Sequence, residues 1–182
     1  MVERALVSES AEATEELGAR LGAVLPPGAI VTLDGDLGAG KTCFVRGLAR
    51  GLGVAEGVAS PSYTLMQAHE GGRLPLYHFD AWMEGREKAF FLDGGAEWLT
   101  GAGVSAVEWA GRVEAFLPEP RLALTFGHLA PARRSILVRT VGAGAQALEA
   151  LVAALEPPPG VSERGAGADP ESPEPPTAPA VG

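Results

Sequence analysis

Residues Gly35-Asp36-Leu37-Gly38-Ala39-Gly40-Lys41-Thr42 read G-x-x-x-x-G-K-[ST], the spacing of a phosphate-binding loop. In such a loop successive backbone N–H groups face one concavity and bind phosphate oxygens. The backbone of Gly35, Leu37, Gly38, Ala39 and Gly40 would form this cradle. Its glycines permit angles and close approach that a Cβ would block. Lys41 would reach the β- and γ-phosphates of a nucleotide, and the Thr42 hydroxyl would ligate Mg2+. The chemistry implied is nucleotide binding, with phosphoryl transfer or hydrolysis as its use.

The flanks supply the context that the motif needs. Ala29-Ile30-Val31-Thr32-Leu33 is an apolar, β-branched run that predicts a buried strand, and Cys43–Arg50 carries helical spacing. Further out, Arg4–Ser8 predicts a short strand. Ser10 is placed to cap a helix reaching about Val24, with Ala13, Leu17, Leu21 and Val24 at helical spacing. Ser62–Ala68 and Leu74–Asp80 read as strands about a Gly-rich turn. Gly85–Trp98 reads as helical pieces broken at Gly94-Gly95. Val104–Trp109, Arg121–Phe126 and Ser135–Val141 read as strands, and Ala145–Leu155 as a helix. This alternation implies an α/β layered fold: a P-loop-type domain with a central mixed, mostly parallel sheet flanked by helices. The ligand belongs at the carboxyl ends of its strands.

A phosphate loop needs acidic partners for Mg2+ and for an attacking water. Asp80 ends Leu76-Tyr77-His78-Phe79-Asp80, and Glu108 ends Val104-Ser105-Ala106-Val107-Glu108. Each is an acid at the end of an apolar strand, where it can touch the metal or its water shell. Asp34 and Asp36 read as loop-shaping residues with local side-chain-to-backbone bonds. Ser60-Pro61-Ser62-Tyr63-Thr64 stands where a switch segment could sense a γ-phosphate through Ser60, Ser62 and Thr64, and equally suits an ordinary turn. His78 reads as a packed or strand-end histidine and Cys43 as core. Trp109, taken alone, reads as core rather than a nucleotide contact.

Composition bounds the rest. The chain has 182 residues, 46% hydrophobic content, one cysteine and a net charge of −9. No apolar run approaches the roughly 18 residues of a membrane span. The start lacks a signal-peptide pattern, and one cysteine excludes an internal disulfide, so a cytoplasmic protein is expected. The acidic balance argues against an independent grip on nucleic acid. Residues 1–156 read as one domain. Residues 157–182 hold 8 of the 15 prolines with no apolar periodicity, and read as a disordered tail.

Taken together, Gly35–Thr42, Ser60-Pro61-Ser62-Tyr63-Thr64-Leu65, His78-Phe79-Asp80 and Glu108-Trp109 resemble the TsaE (YjeE) family over roughly residues 5–155. Members are small bacterial ATPases of threonylcarbamoyladenosine (t6A) tRNA modification. The resemblance implies Thr42 and Glu108 as Mg2+ ligands, Asp80 as support for metal or water, and Trp109 near the nucleotide. It further implies Lys41, Asp80 and Glu108 as the catalytic set, with Ala11 and Arg134 bordering the base. It implies Mg2+ as cofactor, ATP as substrate poorly hydrolysed alone, and TsaD and TsaB as partners that engage the tRNA. The chain departs from the family pattern at Trp82-Met83, where Tyr-Arg is usual, at Cys43 and Ser62, where Thr is usual, and in its Pro-rich tail.

Three rivals remain. A GTPase usually reads guanine with Asn-Lys-x-Asp, and this chain contains no Asn. A small-molecule or nucleoside kinase needs an acceptor pocket and a basic lid, whereas Arg86, Lys88 and Arg112 are scattered. A nucleotide-gated binding module without turnover is separated poorly from a slow ATPase.

Overall fold

The computed structural model describes residues 2–54 and 57–164. In chain order the elements are β1 (Glu3–Ser8), α1 (Ala11–Val24), β2 (Ile30–Gly35), α2 (Lys41–Leu52), β3 (Met66–His69) and β4 (Leu76–Asp80). There follow α3 (Arg86–Leu92), β5 (Val104–Glu108), β6 (Arg121–His128), β7 (Arg134–Val141), α4 (Gln146–Ala154) and β8 (Val161–Glu163). Short 3-10 turns span Gly95–Thr100, Ala110–Arg112 and Glu114–Phe116.

The eight described strands form one sheet in the order β3-β4-β5-β2-β6-β7-β1-β8. Parallel pairing joins β4 to β5, β5 to β2 and β2 to β6. The flanking pairs are antiparallel. The sheet is therefore mixed, with its parallel part confined to the centre. Ile30, Val31, Thr32 and Leu33 of β2 are all buried, as expected for a strand covered on both faces. Val31, Leu76 and Ala106 pack on the α1/α2 side, whereas Ile30, Phe79 and Val107 pack with Phe91 and Leu99 on the other.

Ser10 caps α1 as its position predicts, its hydroxyl accepting the Ala13 N–H at 3.1 Å. The two helices then approach to backbone contact. A Cβ on Gly47 would lie 2.0 Å from Glu15 O, and one on Gly51 2.0 Å from Ala19 O. From the other side, Gly18 and Gly22 would meet Phe44 O at 2.3 Å and Leu48 O at 2.4 Å. Contacts advance together along both chains, so the helices run in the same direction with four glycines at the seam. Arg50 fastens the rim to Glu15 and Glu16. Because α2 opens with the phosphate loop, this seam fixes where the loop stands.

Two sequence readings change. Ser62–Thr64 are a turn and the strand starts only at Met66, because Leu65 N–H bonds to Pro61 O at 2.7 Å and Leu65 takes φ 65°. The tail boundary also moves. Residues 157–164, read as disordered, include β8, which pairs antiparallel with β1 through Leu6↔Glu163 and Ser8↔Val161. Val161 is buried in the core, Glu9 N–H bonds to Gly160 O at 2.8 Å, and Arg4 pairs with Glu163. The disorder expected of 165–182 lies outside the described residues. A chain ended after Glu156 should lose about 2 kcal/mol, from one buried valine and several edge hydrogen bonds. Its melting midpoint should fall ~4–8 °C below that of a chain ended after Arg164. Equal midpoints in thermal melts would show that β8 adds nothing.

Candidate active site

The phosphate loop leaves β2 at Gly35, whose φ is 133°. A Cβ there would sit 2.3 Å from Phe126 O, so both conformation and space demand glycine. Gly40 (φ 109°) begins α2. Between them Leu37 stands outward, 74% exposed, while Ala39 is buried in the core, and Ala39 N–H closes the loop on Asp36 O at 3.1 Å.

Lys41 is buried. Its Nζ donates to Gly35 O at 2.6 Å and Asp36 O at 2.9 Å, and lies 3.8 Å from the centre of the Trp109 ring. Burial pushes the ammonium pKa down, opposed by the nearby carboxylates, Glu108 foremost. Trp109 adopts φ 59° at the end of β5, its N–H bonded to Leu33 O at 2.9 Å, and its ring meets Trp82 at 4.6 Å. Asp34 does not make the local bond expected of it. Its Oδ1 accepts the Gly111 N–H at 3.0 Å, pinning the turn behind Trp109. Burial raises the Asp34 pKa and the Gly111 amide opposes the rise.

Asp80 and Glu108 stand opposite one another in the β4–β5 register, on the face that carries α2. Glu108 Oε2 accepts the Thr42 hydroxyl at 2.9 Å, and Oε1 lies 2.9 Å from His78 Nε2. Asp80 Oδ2 accepts the hydroxyls of Ser60 and of Ser62, the latter at 2.7 Å, and Oδ1 accepts the Trp82 N–H at 3.0 Å. The Ser60–Ser62 segment is thus latched to the carboxylate that ends β4.

These groups line an open cleft of about 390 Å³ at the carboxyl ends of β2, β4 and β5. Gly38, Gly40, Lys41, Thr42, Ser60, Ser62, Asp80, Glu108 and Trp109 all face it. Five expected residues do not: Gly35 and Ala39 of the loop itself, and Ala11, Thr64 and Arg134. Ala11 is held at the helix seam, its carbonyl accepting the Cys43 thiol at 3.1 Å. Thr64 turns its hydroxyl back to Pro61 O at 3.4 Å. Arg134 is spread over the carbonyls of Ala130, Pro131 and Arg133, and reaches Gly38 O at 3.4 Å, bracing the loop rather than lining the cleft.

Sequence reasoning missed His78, Trp82 and Arg46. Period-two alternation along β4 carried a signal for His78, since it puts residues 78 and 80 on one face. Trp82 and Arg46 reach the cleft only through folding. Among the described residues no three of His, Cys, Asp and Glu cluster as a metal cage. Mg2+ does not need one. It binds through one or two protein oxygens and completes its shell with water and phosphate, and the adjoining Thr42 hydroxyl and Glu108 carboxylate fit that donor set.

Residues 8–136 match the model of a family described as threonylcarbamoyl adenosine biosynthesis protein TsaE. A Treponema pallidum protein named tRNA threonylcarbamoyladenosine biosynthesis protein TsaE is 43% identical over 132 residues, covering 72% of this chain and 97% of that protein. Its Bacillus subtilis namesake is 40% identical over 132 residues, covering 72% of this chain and 82% of the relative. The crystal structure of Bacillus subtilis YdiB superposes with a TM-score of 0.71 at 35% identity, covering 85% of this chain and 94% of the other. With a family match across most of its length, and its phosphate loop, serine latch and strand-end acids inside the matched span, the chain belongs to the TsaE family.

Proposed function

We propose that this chain binds Mg2+–ATP in the cleft and hydrolyses it slowly, as the nucleotide-using component of tRNA threonylcarbamoyladenosine formation. Its proposed partners are a TsaB–TsaD pair, with tRNA engaged through them in the cytoplasm. One observation carries the nucleotide part: Lys41, Thr42, Glu108 and Asp80 converge at the carboxyl ends of β2, β4 and β5. Family membership supports the pathway.

In this reading the Gly35–Gly40 backbone, Leu37 and Ala39 included, cradles the phosphates. Lys41 exchanges the neutral carbonyls of Gly35 and Asp36 for anionic β/γ-phosphate oxygens, a gain because the acceptor then carries charge as well as the donor. Thr42 and Glu108 hold Mg2+, which when bound offsets charge on the transferring phosphoryl group. Asp80 orients the attacking water, and Trp109 borders the nucleotide. Both oxygens of Asp80 are engaged by Ser60, Ser62 and the Trp82 amide. That supports slow turnover alone, with release of the Ser60–Ser62 latch as the step partners accelerate. The net charge of −9 supports leaving the tRNA surface to them.

Glu108→Gln keeps the shape and removes the anion. It should cut Mg2+-dependent ATP turnover at least ~100-fold, beyond the usual loss of an outer partner, and leave the melting midpoint nearly unchanged. An unaltered Mg2+ dependence would move the ligand elsewhere. The pathway is tested by tRNA modification with TsaB, TsaD and a threonylcarbamoyl donor. Rounds beyond the first should require this chain, ATP and an intact Lys41; equal yields without them would contradict the proposal.

A further inference from the structure

His78 is fully buried on β4. Strand alternation and register put it with Asp80, Ala106 and Glu108 on the face that carries α2. The 2.9 Å contact from its Nε2 reaches Glu108 Oε1, while the other oxygen of that carboxylate accepts the Thr42 hydroxyl at 2.9 Å. A carboxylate only accepts, so Nε2 is the donor in this contact. Nδ1, by contrast, is buried without a hydrogen-bond partner among the described residues. A side chain present for packing alone would be better apolar, since a leucine strands no polar atom. The unsatisfied Nδ1 marks a histidine that is there for its other nitrogen.

We infer that His78 is a positioning residue for the metal site. Its Nε2–H pins one oxygen of Glu108 and so turns the other toward Thr42 and the cleft. The inference rests on the Mg2+–ATP reading. Physically, a liganding carboxylate held by an outer hydrogen-bond donor keeps its orientation before the metal arrives. Without that donor, Thr42 is the one remaining side-chain partner of Glu108 among the described residues, and it belongs to the metal site itself. The carboxylate would then reorganise each time the cation bound.

The test is calorimetric binding of a non-hydrolysable ATP analogue across a Mg2+ titration and in EDTA. His78→Leu removes the donor, His78→Gln places an amide N–H near the Nε2 position, and His78→Asn stops short of it. His78→Leu should raise the Mg2+ concentration for half-saturation roughly 10–100-fold, with affinity in EDTA and the melting midpoint unchanged. His78→Gln should recover most of the loss and His78→Asn should not. A wild-type Mg2+ dependence in His78→Leu would overturn the inference, as would an equal loss with and without Mg2+. Should His78→Leu fail to fold, the Gln and Asn variants decide alone, and indistinguishable Mg2+ dependence between them overturns it. Wild-type binding that ignores Mg2+, or that survives Lys41→Ala, would reject the Mg2+–ATP reading and this inference together. Normal wild-type Mg2+ dependence with an unaffected His78→Leu would reject only the role of His78.

Discussion

Lys41→Ala is expected to weaken ATP binding by at least ~100-fold and to abolish turnover. The ammonium is already desolvated, held by two loop carbonyls and the Trp109 ring. Phosphate oxygens would replace the carbonyls as acceptors at no further burial cost. Hydrogen bonds to charged groups contribute about 1.5–3 kcal/mol each. The two carbonyl bonds given up offset part of this, but truncating one partner of a buried, hydrogen-bonded charge pair costs about 2–5 kcal/mol overall, and 1.4 kcal/mol is a factor of ten in affinity. The fold should survive, because alanine suits a helix start and the Lys41 side chain itself lines an open cleft. Calorimetric titration with ATP and Mg2+, paired with a thermal melt, checks both halves. Unchanged affinity would remove Lys41 from the site.

The second large effect concerns stability. Gly47→Ala should destabilise the protein by about 3 kcal/mol, a fall of ~6–12 °C in melting midpoint. Intrinsic propensity predicts the opposite sign, since glycine inside a helix costs about 1 kcal/mol relative to alanine. The sign therefore decides between local preference and helix packing. A Cβ at residue 47 would stand 2.0 Å from Glu15 O, and backbone cannot swing aside as a side chain can. The helices would have to separate, which would also displace the loop that opens α2. Lys88→Ala on the exposed face of α3 is the control, expected within ±0.5 kcal/mol of wild type. A Gly47→Ala protein that melts at or above the wild-type midpoint would refute the close seam.

The phosphate loop and its strand-end acids were legible because they are local. Their chemistry is encoded in contiguous spacing, and the alternation of β4 and β5 carries Asp80 and Glu108 to one end of the sheet. What stayed hidden depends on partners distant in sequence. Gly18-x-x-x-Gly22 and Gly47-x-x-x-Gly51 are visible as spacings, yet nothing local says that one packs on the other. The run Pro157-Pro158-Pro159 reads as tail, and Val161–Glu163 is too short to show a period. It is held instead by β1, by the Glu9 amide and by Arg4. Ser62–Ala68 reads as one strand because its residues favour extension. The serine hydroxyls are spent on Asp80, eighteen or more residues away, which bends the first half into a turn. Asp34 misleads in the same way, taking the Gly111 amide across the sheet end rather than its own loop.

The most direct test of the central claim is steady-state ATP turnover by the purified chain, alone and with TsaB, TsaD and tRNA. The account predicts a low rate alone, a strong Mg2+-dependent rise when all partners are present, and loss of that rise in Lys41→Ala. A rate that partners leave unchanged, or a rise that persists in Lys41→Ala, would contradict it.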